Sequence, residues 1–196
     1  VLYLAASLFF LGQIFFGRRT WNALGRRVLR IGLGVHIAGL LVHFAVSGTS
    51  PFTDMLLIMS LFVVAVILVD ELIERFTAVR SLGCIVTPLA FFGLLYPALM
   101  PVRFDAAESM LLRHPWLGMH IGTTLLGVVG FALAFTAAII VIVQSRLLKR
   151  GRLNQWLPAL DTAAIATDRF AGSGFFLFTI GLIMGIIWVF GAPGDY

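Results

Sequence analysis

His36 and His43 lie seven residues apart in the apolar run "GVHIAGLLVHFAV", and His114 and His120 close the two ends of "HPWLGMH". These are all four histidines of a 196-residue chain, so whatever imidazole chemistry it performs rests on them. Seven residues along a helix return to nearly the same face, displaced by about 10.5 Å. Two neutral imidazoles borne by different helices make an axial pair for haem iron, with apolar and aromatic neighbours burying the macrocycle. Zinc asks for three or four ligands. His43, His114 and His120 could gather, but no carboxylate or thiolate stands beside them in the sequence, so haem fits the set better than zinc. The plain alternative, hydrogen bonds to neighbouring helices or to lipid headgroups, stays open.

Other chemistries find less support. No serine, histidine and acid can be assembled from helix ends on one side, and no glycine loop precedes a lysine. Cys84 is the one cysteine and lies in an apolar run, so neither an internal disulfide nor covalent haem attachment through CxxCH is open. It reads as a packed, inert thiol. Asp70, Glu71 and Glu74 read as a solvated helix end beside Arg75 rather than a proton relay.

The elements that must carry the histidines are membrane helices. The chain is 60% hydrophobic and 12% charged with a mean hydropathy of +1.03, where a soluble domain has about 45–50% apolar and about 25% charged residues. The apolar runs are too long and too unalternating for barrel strands. At about 20 residues per span, an all-α polytopic protein with six transmembrane helices is predicted, over 1–16, 28–47, 53–73, 81–100, 116–146 and 171–191. All of it reads as a single transmembrane domain. The first span begins at Val1 without a charged leader, which reads as the inside of a longer protein rather than a signal peptide.

Charge sets the orientation. Arg18, Arg19, Arg26, Arg27 and Arg30 follow the first span, Arg75 and Arg80 the third, and Arg146, Lys149, Arg150, Arg152 and Arg169 the fifth. Only Arg103 and Arg113 lie on the other side. The positive-inside rule makes the crowded side cytoplasmic and both termini extracytoplasmic, in a multi-pass protein of the plasma (inner) membrane. Net charge of +5 is thus a topology signal and not a nucleic-acid one. Helix 2 then runs outward, with His36 near the midplane and His43 near the outer surface. Helix 5 runs inward, with His120 about 6 Å below its outer end, so His43 and His120 share a depth. His114 sits above them, and Trp116 suits the headgroup level.

Two connecting segments are long. The outer one, "PVRFDAAESMLLRHP", can lay Met110, Leu111 and Leu112 on the membrane surface with Asp105 and Glu108 toward water. In the inner one, Gly151 stops helix 5, Pro158 breaks the connector and Asp161 can cap a following turn. Gly118, Gly122, Gly127 and Gly130, then Gly172, Gly174, Gly181 and Gly185, let helices 5 and 6 approach something closely, either one another or a flat ligand.

The segment "HPWLGMHIGTTLLGVVGFALAFTAAIIVIVQSRLLKRG" resembles a histidine-opened, small-residue-rich helix of the cytochrome c assembly proteins, the CcsA, CcmC and HemX-like group. "LPALDTAAIATDRFAGSGFFLFTIGLIMGIIW" is similar to the next connector and helix of that family, and "GVHIAGLLVHFAVSGTSPFTDMLLIMSLF" to its histidine-bearing second helix. "LGCIVTPLAF" fits the helix after that. The pieces run through the whole chain in family order, closest in character to the HemX-like branch. The resemblance implies haem bound in the membrane by helix histidines: His36 matches the second-helix histidine and His120 the one opening the later helix. His114 falls near a less regular histidine, and His43 has no firm counterpart. Family ligases carry a tryptophan-rich loop where this sequence ends in "WVFGAPGDY", so Trp188 matches only its approach. Leu57 and Ile58 stand where an acidic residue and a serine often follow Asp54.

The expectation is a haem b-handling or haem-anchoring membrane protein without bond-making chemistry of its own. His120 is the leading iron ligand, His43 or His36 stands opposite, and His114 covers the exposed edge. Its partners would be the lipid bilayer and other membrane or extracytoplasmic subunits, a c-type cytochrome among them, and no nucleic acid. Two alternatives stay open: a cytochrome b-like electron-transfer subunit, and a haem-free HemX-like scaffold or regulator of haem synthesis.

Overall fold

The computed structural model describes residues 1–17, 19–47, 55–76, 82–99, 114–152 and 154–191. Six helices appear there, α1 (Leu2–Phe16), α2 (Arg19–Ser47), α3 (Met55–Phe76), α4 (Gly83–Leu99), α5 (Pro115–Lys149) and α6 (Leu160–Gly191), with no strand among the described residues. Four of them, α2, α3, α5 and α6, are long and apolar enough to cross a membrane. Helices α1 and α4 have 15 and 17 residues. At 1.5 Å per residue that is about 22 and about 25 Å, against a hydrocarbon core of about 30 Å.

The expected spans locate the helices but not where α2 and α6 begin. Helix α2 begins at Arg19 rather than near 28, and α6 at Leu160 rather than near 171. A span read from hydropathy stops at the first charges, whereas helical hydrogen bonding continues through them. The stretch "DTAAIATDRF" carries good helix formers and buries Ala163 and Ala166, so it helps to begin α6 instead of connecting to it. Asp161 accordingly falls in the first helical turn. Gly151 does end α5, at φ 67°. The connector is held by Gln144, whose Nε2 donates to the carbonyls of Asn154 at 3.1 Å and Pro158 at 3.0 Å. Segment 101–113, expected to form a surface helix, lies outside the described residues, as does Arg18.

Packing joins two hairpins through the middle helices. Helix α1 lies on α2 and α4, α3 touches α2, α4 and α5, and α5 and α6 form the most extensive pair. In the first hairpin, Trp21 fits the notch left by Gly12 and meets Phe9 edge-on at 5.9 Å. Gly17, at φ 66°, ends α1 with its N–H on the Gln13 carbonyl at 2.8 Å. The core is formed by Phe10, Leu29, Ile67, Val86, Leu133 and Ile140. Cys84 is buried there, as expected. Leu182, Ile183, Ile186 and Ile187 turn outward, an apolar surface that suits lipid contact.

The acidic end of α3 differs from the solvated end that the sequence suggests. Asp70 is 1% exposed, and Glu71 and Glu74 lie against α2 rather than in solvent. Because α2 is helical from Arg19, Arg26 and Arg30 stand one turn apart on it and reach α3. Arg26 Nη1 donates to Glu71 Oε1 at 3.0 Å, Arg30 Nε donates to Glu71 Oε2 at 2.8 Å, and Arg26 Nη2 pairs with Glu74.

Candidate functional site

The start of α5 builds the site. Pro115 occupies the first turn, where its missing N–H is no loss and its fixed φ suits a helix. His114 caps that turn, its Nδ1 accepting from the Trp116 backbone N–H at 3.2 Å. The same imidazole lies on the Trp188 ring at a centroid distance of 4.5 Å. Trp116 reaches across to α6, its indole N–H donating to the Met184 carbonyl at 2.9 Å. The ring contact and the indole bond both join the opening turns of α5 to the last turns of α6.

One turn below Trp116, His120 Nδ1 stands 2.6 Å from the Gly181 carbonyl oxygen. A carbonyl only accepts, so Nδ1 carries the proton and, in the neutral ring, Nε2 keeps its lone pair. This tautomer is assigned from the hydrogen bond. Gly185 makes room for the ring: a Cβ there would come within 2.7 Å of His120 Cε1. The four-residue glycine spacing of α6 therefore serves helix packing and the seating of His120 together. Deeper in the pair, a Cβ on Gly130 would lie 2.6 Å from Gly174 Cα, so backbone meets backbone at that crossing.

Beside the imidazole is an open cavity of about 340 Å³ lined by Leu117, His120, Leu182, Ile186, Trp188 and Phe190. Its lining residues are apolar apart from His120 and the amphipathic Trp188, which suits a flat hydrophobic ligand taking one nitrogen donor. Among the described residues no group of three His, Cys, Asp or Glu side chains could hold a metal ion. The described histidines stand as single nitrogen donors rather than as a closed metal cage.

The two remaining histidines lie elsewhere. His36 is half-buried against α1, where Tyr3 Oη lies 3.0 Å from its Nδ1. His43 is exposed, its ring packed against the neighbouring Phe44 at 5.8 Å. Their seven-residue spacing does keep one face of α2, but the partners differ: the His36 ring meets Tyr3 of α1, and the His43 ring meets Phe44 of its own helix. Of the five nominated residues, then, His114, Trp116 and His120 come together. His36 and His43 belong to the α1–α2 hairpin, linked to α5 through α3.

Sequence reasoning missed the partners. Nothing in the residue pattern nominates Tyr3 or the carbonyls of Gly181 and Met184. Trp188 could have been found by pairing the tryptophan near the end of α6 with the one near the start of α5.

Compared with known proteins, residues 30–195 match the family model described as "Cytochrome C assembly protein". No curated protein and no solved structure matches significantly.

Proposed function

Because this chain belongs to the cytochrome c assembly protein family, we propose that it binds haem b in the membrane and handles or anchors it near the outer face. The observation that carries this reading is the His120 imidazole, its Nδ1 fixed on the Gly181 carbonyl, beside a largely apolar cavity; in the neutral ring that bond leaves Nε2 free to ligate.

The residues fit the group. Iron takes a neutral imidazole nitrogen as axial ligand, and ligating histidines ordinarily donate their other N–H to an oxygen. His120 meets both conditions. Leu117, Leu182, Ile186 and Phe190 would keep water from the bound face, and His114, held on Trp188, would shield or ligate the exposed edge. Trp116 anchors this end at headgroup level through its bond to Met184. The opposite ligand in this reading is His36 or His43; the Tyr3 hydroxyl, 3.0 Å from His36 Nδ1, would leave His36 Nε2 free for iron where it accepts from Nδ1. When bound, haem supplies an iron that accepts these donors. The chain itself positions, shields and retains it, without bond-making chemistry.

In this reading α1 and α4 also cross the bilayer, both ends of the chain lie outside, and the arginine-rich connections face the cytoplasm of a plasma (inner) membrane. Twelve of fourteen cations on one set of connections support that orientation. Within the family, the character of the apolar segments favours the HemX-like branch. Its partners are other membrane or extracytoplasmic subunits, a c-type cytochrome among them.

An absorption spectrum of the purified protein, beside His120→Ala, tests the proposal. A Soret band that the substitution removes or shifts is expected. An unchanged band takes His120 out of the site, and no band even with added haemin selects a haem-free scaffold. Reversible reduction by a quinol selects an electron-transfer subunit instead.

A further inference from the structure

The charged end of α2 and α3 contains a second cavity, separate from the histidines. It has a volume of about 660 Å³ and is lined by Arg30, Leu68, Glu71, Leu72, Glu74 and Arg75. Its hydrogen-bonding capacity is unequally spent. Glu71 accepts from Arg26 with one carboxylate oxygen and from Arg30 with the other, while Glu74 Oε2 is against Arg26. The acceptors are therefore largely engaged. Arg30 is not: only its Nε is engaged among the described residues, and its side chain is 64% exposed.

A guanidinium anchored through Nε is a preorganised fork, with both Nη groups left for an oxyanion. The opposite wall, on α3, is mixed: Glu71, Glu74 and Arg75 line it at the charged end, and Leu68 and Leu72 supply an apolar strip. Leu68 and Leu72, one turn apart on α3, are 40% and 52% exposed, on a helix long and apolar enough to span the membrane. A ligand that satisfies both walls carries a negatively charged oxygen at one end and hydrocarbon at the other. We propose that this cavity binds a phospholipid, its phosphodiester on Arg30 and its acyl chains along Leu68 and Leu72. Free phosphate shares the headgroup chemistry, but it leaves the leucine wall uncovered; basic pockets between spans hold lipid headgroups by the same physics.

Native mass spectrometry of the detergent-solubilised chain, titrated with dioleoylphosphatidylglycerol, tests this. One retained lipid per chain is expected, with no adduct from dioleoylglycerol, which lacks the phosphate. Arg30→Gln should lower occupancy about tenfold, the scale of a lost charge-assisted bond. Leu72→Trp, which fills the cavity and leaves every ion pair in place, should do the same and decides the matter if Arg30→Gln does not fold. Leu8→Trp, on an exposed face of α1, should leave the adduct intact. Equal adducts in all four proteins overturn the site. Displacement of the lipid by millimolar inorganic phosphate reassigns it to a free anion and overturns the lipid.

Discussion

The imidazole Nδ1 of His120 and the carbonyl oxygen of Gly181 lie 2.6 Å apart, across 61 residues of sequence. One bond fixes the tautomer of the ring and ties the start of α5 to the end of α6. A site residue and a packing contact are thus the same interaction, so a change to either partner should register in both haem binding and stability.

Enlarging Gly185 tests the seat of the ring. A Cβ would stand 2.7 Å from His120 Cε1, so Gly185→Val must turn or displace the imidazole. Haemin affinity, measured by absorbance titration, is expected to fall about 10- to 100-fold, the effect usual for a lost supporting contact around a metal ligand. Retained affinity with an unaltered spectrum would show that the ring position is immaterial.

The two histidines of α2 should behave differently. His36→Ala is expected to convert a six-coordinate, low-spin haem spectrum to a high-spin one, and His43→Ala to leave it low-spin. Tyr3→Phe removes the oxygen at His36 Nδ1 and should weaken haem binding about tenfold without abolishing it. Electron paramagnetic resonance of the ferric protein reads the spin state directly. The opposite order of effects would move the ligand to His43.

Glycines of α5 are not equivalent. Gly130→Val would drive a side chain into the Gly174 backbone, where nothing flexible can yield. A loss of about 1–3 kcal/mol or more is expected, seen as a lower melting temperature in detergent. Gly122 has open space around its Cβ position, so Gly122→Ala should be neutral within about 0.5 kcal/mol, or slightly stabilising.

Arg26 and Arg30 should differ in the same assay. Arg26 is 11% exposed and serves both Glu71 and Glu74, so Arg26→Met takes the guanidinium from the largely covered Glu74 and leaves Glu71 with Arg30 alone, at a cost of about 1–3 kcal/mol or more. Arg30 is 64% exposed and solvent screens its pair with Glu71, so Arg30→Met is expected to cost about 0–1 kcal/mol. Equal losses would contradict the burial of the cluster.

Helix extents illustrate what a sequence leaves open. Four of the apolar runs are helices long enough to cross a membrane, and the order of the six helices among the described residues is readable from hydropathy. The starts of α2 at Arg19 and of α6 at Leu160 are not, because charge ends a hydrophobic run without ending a helix. The same limit hides the environment of Glu71 and Glu74, whose arginine partner Arg26 stands on a part of α2 that hydropathy alone reads as a loop.

Within the site, residue types and family order nominate all four histidines and Trp116, and the position of His120 at the opening of an apolar helix is plain from "HPWLGMH". Periodicity fixes which residues share a face of their own helix, and it says nothing about what that face meets. His36 and His43 share one face, yet only His36 has an oxygen from α1 beside its ring among the described residues. Only the packed α5–α6 pair decided that His114, Trp116 and His120 meet Trp188, Met184 and Gly181. Backbone carbonyls carry no sequence signature, and a close crossing of two helices brings them within reach of a ring.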